Sequence, residues 1–215
     1  MRKAGIPCLL ALAAALGCAE IIDRIAVTVD NRVIAESEVA AAIRTAAFLN
    51  GETPDLSGAS KRQAAGRIAD QILFVREMEL THYPQPAPEE ADALLKNAKA
   101  RFKSEDEYKR ALAACRIDEA ALRDALQRQL SVLRFIDLRF RSEVQVQEAD
   151  VQQYYESVFL PEARRRNVSP QPSFDEARAQ CEQALTEQAI DLRLERWLNA
   201  VRSHARIEYR EEAFQ

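Results

Sequence analysis

All five glycines of this 215-residue chain lie at or before Gly66, so residues 67–215 contain none. Glycine reaches positive φ without steric cost, and tight turns and phosphate-cradling loops depend on it. A glycine-free stretch of this length, rich in Ala, Leu, Glu, Arg and Gln, predicts a stack of helices. It also removes the sequence basis for a nucleotide-binding loop, which needs glycines at fixed spacing.

The segment before it has a different texture. Ile25–Val29 is a short β-rich run, Asp30-Asn31-Arg32 reads as a turn, and Val33-Ile34 resumes extended chain, which together predict a hairpin. Glu36 or Ser37 then opens a helix that places Val39, Ile43, Ala46 and Ala47 on one face. Residues 50–59 are loop by composition.

Ser60 can cap a long helix running to about Tyr83, with a core-facing stripe of Ala64, Ala65, Ile68, Ile72, Leu73, Val75 and Leu80. Pro84, Pro86 and Pro88 break it, and helix resumes from about Glu89 to Phe102. Ser104 starts the next helix, with Glu105, Asp106 and Glu107 favourably placed in its first turn. Asp118 caps a further helix, whose Leu122, Leu126, Leu130, Leu133, Ile136, Leu138 and Phe140 widen into a broad apolar surface.

A short helix begins at Gln147 and runs through Tyr154 and Tyr155, and Pro161–Pro172 reads as a linker carrying Arg164, Arg165 and Arg166. Ser173 caps the last long helix, Phe174 to about His204. Ala205–Tyr209 is a final short strand, expected to pair with residues 25–29. The fold class is therefore mainly α, with a small hairpin near the start joined by a strand from the end.

Residues 1–19 read as an export signal: Arg2 and Lys3, an apolar run over 6–16, then small residues before Glu20. The run is shorter than the roughly 20 residues a membrane-spanning helix needs. Two cleavage patterns fit. Gly17-x-Ala19 suits cutting before Glu20. Ala15-Leu16-Gly17-Cys18 resembles a lipoprotein signal, which would leave a lipidated Cys18 as a membrane anchor. Both readings place the protein in the periplasm. Beyond Glu20 no apolar run of comparable length follows, so the processed chain is expected to be soluble.

From Glu20, 196 residues remain, enough for a sizeable core. The formal charge is −4, and loss of Arg2 and Lys3 takes it to −6. An acidic chain with interspersed charges argues against general nucleic-acid binding. Cys115 and Cys181 are the two cysteines left after processing. In an oxidising compartment they permit a disulfide, the alternative being two small buried apolar side chains.

Catalytic chemistry finds little purchase. Cys181 and His204 are separated by 23 residues of one predicted helix, roughly 34 Å at 1.5 Å per residue. His82 is isolated near another helix end. The carboxylate runs Glu89-Glu90 and Glu105–Glu107 sit where helix first turns belong, and no cysteine or histidine cluster has metal-ligand spacing. No cofactor is expected.

The β-run followed by Asn31-Arg32-Val33-Ile34-Ala35-Glu36-Ser37-Glu38-Val39 resembles the opening of the SurA and parvulin-type periplasmic chaperones. The Asp118 helix, the segment Glu148–Tyr155 and the tail from Trp197 to Ile207 are similar to later parts of that family. In the family, the Tyr-Tyr segment leads into a parvulin isomerase domain. Only 18 residues separate Tyr155 from Phe174 here, without glycine or histidine. They cannot form that domain, so prolyl isomerisation is not carried over.

The resemblance implies a helical chaperone domain over 20–160, a linker over 161–172 in place of the isomerase, and a C-terminal helix and strand over 173–215 that pack back on the first part. It implies an ATP-independent holder of unfolded or nascent envelope polypeptides, including outer-membrane or secreted chains. The alternative is a non-catalytic adaptor subunit of an envelope assembly. A homodimer is compatible with either. The apolar helix faces nominate a peptide-binding groove of Ile43, Phe48, Phe74, Met78, Leu133, Phe135, Ile136, Phe140, Leu194 and Trp197. Ordinary core packing is the competing account of the same residues.

Overall fold

A computed structural model describes residues 23–215. The expected export signal and its Cys18 lie outside the described residues. The chain is mainly helical, with one three-stranded antiparallel sheet in the order β2-β1-β3. Strand β1 (Ile25–Val29) turns at Asp30 and Asn31 into β2 (Arg32–Ala35). On its other side β1 pairs with β3 (Ile207–Tyr209), Val27 opposite Tyr209 and Val29 opposite Ile207. The expected closure of the two ends of the fold is therefore present.

Asp30 ties this closure together. It adopts a φ of 51°, which a short Asx side chain tolerates better than most. Its amide donates to the Arg206 carbonyl (2.8 Å), and its carboxylate accepts from the Arg206 amide (2.8 Å) and the Arg76 guanidinium (2.5 Å). One turn residue thus joins the hairpin, the last strand and the second helix.

Helix α1 (Glu36–Asn50) ends at Gly51 in the left-handed conformation, φ 73°. The Arg101 guanidinium covers its terminal carbonyls at Leu49 (2.6 Å) and Phe48 (3.2 Å), satisfying groups that a helix end leaves open. Helix α2 (Gly58–Thr81) starts three residues earlier than the sequence suggests. Ser57, not Ser60, is the cap, and its hydroxyl accepts from the Ser60 amide at 3.4 Å. Gly58 is dictated by a close approach, because a Cβ there would stand 1.9 Å from the Phe214 carbonyl oxygen.

Helices α3 (Pro88–Lys99) and α4 (Glu105–Cys115) follow. Glu90 closes the start of α3 by accepting from the Ala87 amide (2.8 Å), and Ser104 caps α4. Asp118 accepts from the Ala121 amide at 2.7 Å and caps α5 (Glu119–Phe140), as its sequence position indicates.

Helix α6 (Glu148–Tyr154) continues through a π-helical segment, Tyr155–Phe159, into α7 (Leu160–Arg165). The expected linker over 161–172 is thus corrected in its first part. Pro161 falls just after the π-helical segment gives way to α7, and the helix runs on through it instead of ending there. Helix α8 (Phe174–His204), capped by Ser173 and Glu176, has 31 residues, about 46 Å at 1.5 Å per residue.

Four apolar clusters lie along this frame. The first joins the sheet, α1, the first half of α2 and the Glu211–Phe214 turn. The second joins the end of α1 to α3, α4 and the start of α5. The third is aromatic, built from the ends of α2 and α5 and the middle of α8. The fourth packs α6 and the π segment on the first half of α8. Cys115 borders the second cluster and Cys181 is buried in the fourth. Both thiols are free, and the disulfide reading gives way to its alternative: the two side chains belong to different packing units. Burial raises the Cys181 thiol pKa.

Candidate functional site: an alanine-lined trough

The residues nominated from the sequence do not form one groove. Ile43 is buried in the first cluster and Phe48 in the second. Phe74, Met78, Phe135 and Phe140 are buried in the third, and Ile136, Leu194 and Trp197 pack half-buried against it. Leu133 is 55% exposed and stands apart. Large apolar side chains fill the space between helices, so they mark where the protein is solid. Phe135 shows this best. It is 1% exposed, with ring centroids of Phe74, Tyr83, Phe140 and Trp197 at 5.1–6.0 Å.

The concave apolar surface lies elsewhere, between α1, α2 and the first half of α5. It encloses about 710 Å³. From α1 come Ala41, Ala42, Thr45, Ala46 and Leu49, spaced so that successive turns share one face. From α2 come Ile68, Ile72 and Val75, and from α5 Ala121 and Ala125. Small side chains create the hollow, because three helices that meet through alanine leave volume that leucine would fill. Ile68 and Thr45 are buried beneath it, whereas Ala41, Ala46 and Ala121 are open to solvent.

Polar residues stay at the margin. Arg32 pairs with Glu38 at 3.2 Å, and Arg76 with Asp30 at 2.5 Å. Glu79, Asp124, Arg128, Gln71 and Gln129 complete the edge. The two signs are balanced, so the trough has no strong preference for a charged ligand. Its chemistry is an apolar floor of ligand-pocket size with polar groups around it. The residues that build it were not nominated from the sequence. Nothing in the sequence marked them, since Ala41, Ala42 and Ala46 on one helix and Ala121 and Ala125 on another read as ordinary helix formers.

The histidines occupy helix ends. His82 ends α2 in the left-handed conformation, and His204 Nδ1 lies 2.7 Å from the Ala200 carbonyl oxygen. Cys181, buried near the opposite end of α8, is not beside either. Among the described residues, no helix is long and apolar enough to cross a membrane. Comparison with protein-family models yields no match, and comparison with curated proteins yields none.

Proposed function

We propose that this protein is an ATP-independent, non-catalytic holder of unfolded polypeptide, using the α1/α2/α5 trough to take up apolar segments of other chains. The observation that carries the reading is the trough itself: an apolar floor of about 710 Å³ on the outside of a helical body whose larger side chains are already packed. Hydrophobic attraction is non-directional, so such a floor holds segments of varied sequence. The balanced edge charges suit clients of either sign. The likeness to SurA-type chaperones around Asn31–Val39 supports the same reading, as does the export-type pattern of residues 1–19, which fits work in the periplasm. Release then rests on modest affinity and on folding of the client.

The test is suppression of aggregation of an unfolded model client. The wild-type chain is expected to lower light scattering in proportion to its concentration. Ala46→Leu combined with Ala121→Leu fills the trough from two solvent-open positions, and is expected to abolish the effect without loss of stability. Equal protection by the filled variant removes the trough from the function. Recovery of one stoichiometric partner in a pull-down, in place of many substoichiometric clients, marks an adaptor subunit instead.

A further inference from the structure

A second hollow, of about 480 Å³, lies at the far end of α5, and nothing in the trough reading uses it. Its apolar wall is Tyr83, Leu138, Phe140 and Trp197, and its polar wall holds Arg139, Arg193 and Arg196. The three guanidiniums are not equivalent. Arg139 is engaged, 3.5 Å from the Glu77 carboxylate and 6.0 Å from the Trp197 ring centroid. Arg193 donates to the backbone carbonyl of Glu143 at 3.2 Å, a neutral acceptor. Arg196 is solvent-exposed and makes no ion pair among the described residues. The only acidic side chain on the wall is Glu143. Two cations therefore face an aromatic pocket without carboxylate partners of their own.

We infer that this hollow binds an apolar side chain carrying a carboxylate, the C-terminal residue of another polypeptide, with the side chain against Trp197 and Phe140 and the carboxylate on Arg196 and Arg193. A guanidinium presents paired N–H groups that match both oxygens of a carboxylate. An aromatic wall beside it gains from burial of the terminal side chain. The volume suits one terminal group and not a folded surface. The site is independent of the trough and stands whether or not the trough holds clients.

Trp197 is the only tryptophan in the chain and lines this hollow, so its fluorescence reports on binding there without interference from other indoles. The full-length protein is titrated with a short uncharged peptide ending in phenylalanine, as the free acid and as the C-terminal amide. The free acid is expected to change Trp197 emission saturably and to bind roughly tenfold more tightly than the amide, since a charge-assisted bond is lost. Arg196→Gln is expected to abolish that difference, Arg196→Lys to keep part of it, and the trough-filling pair to leave it intact. Equal affinity of acid and amide, no emission change, or an acid preference surviving Arg196→Gln overturns the inference. Dodecanoate is the third arm. If it binds with the Arg196 dependence and the free-acid peptide does not, the carboxylate belongs to a free amphiphile and the chain-terminus assignment fails.

Discussion

Phe135→Ala separates a packing residue from a binding residue at one of the two most buried aromatic rings among the described residues. The side chain is 1% exposed, and its ring meets Tyr83 at 5.1 Å, Trp197 at 5.3 Å, Phe74 at 5.7 Å and Phe140 at 6.0 Å. Truncation deletes the transfer energy of the ring and leaves a cavity that three helices cannot collapse into, at a cost of about 3–5 kcal/mol. Loss of four aromatic neighbours argues for the upper half of that range. For a chain of this size each kcal/mol lowers Tm by roughly 2–4 °C, so a fall of about 8–20 °C is expected. Urea unfolding followed by Trp197 fluorescence and by far-ultraviolet circular dichroism measures it, with an unchanged m-value showing that the same surface is exposed. Leu133→Ala, at a position 55% exposed on the same helix, is the control and is expected to cost less than about 0.5 kcal/mol. A loss below about 1 kcal/mol for Phe135→Ala, together with lost client protection, would refute the assignment of this ring to the core.

Gly58→Ala places a Cβ 1.9 Å from the Phe214 carbonyl; limited proteolysis is expected to show early cleavage in the Glu211–Phe214 turn, and equal resistance to wild type refutes the close approach. Tyr108 is 1% exposed, with no hydrogen-bond partner for its hydroxyl and the Glu119 carboxylate nearby; burial, and then that negative charge, raise its pKa well above the usual tyrosine value. The neutral form is thus favoured in the folded state, so its contribution is complete below about pH 10 and is lost as pH rises above the unfolded value. Tyr108→Phe is expected to leave neutral-pH stability unchanged or higher and to flatten the alkaline decline, as read from urea midpoints between pH 8 and about pH 11. Cys115 and Cys181 are free in separate clusters; dithiothreitol is therefore expected to leave Tm unchanged, and Ellman's reagent to reach Cys115 well before the buried Cys181.

Local signals carried the secondary structure where they were chemically explicit. Asp118 and Ser173 are caps in the sequence and caps in the structure, because an Asx or Ser side chain satisfying orphan amides is a short-range event. The pairing of Ile207–Tyr209 with Ile25–Val29 was also legible, from two β-rich runs flanking a helical body. Ser57, not Ser60, caps α2, and the glycine next to it meets Phe214, a contact 156 residues away that no local pattern encodes. The first part of the linker reading over 161–172 failed because a proline carried within a helix after a π segment and a proline in a linker look alike in sequence. The site was the least legible part. Bulky apolar residues report what is packed, whereas a trough reports what is missing, and its alanines are indistinguishable by pattern from good helix formers.

The first apolar cluster joins residues 26–73 to residues 198–214, with Phe214 seated over the start of α2 and Arg62 stacked 3.3 Å from the Tyr209 ring centroid. A chain delivered from its N-terminal end, whether by a ribosome or through a translocation pore, therefore cannot seal this cluster until residues 198–214 have arrived. Its hairpin must wait as an open sheet edge for a strand made much later, Ile207–Tyr209. Maturation is expected to occur in one late step, and a chain stalled short of residue 207 would itself present the kind of unfinished apolar surface that a holding protein takes up.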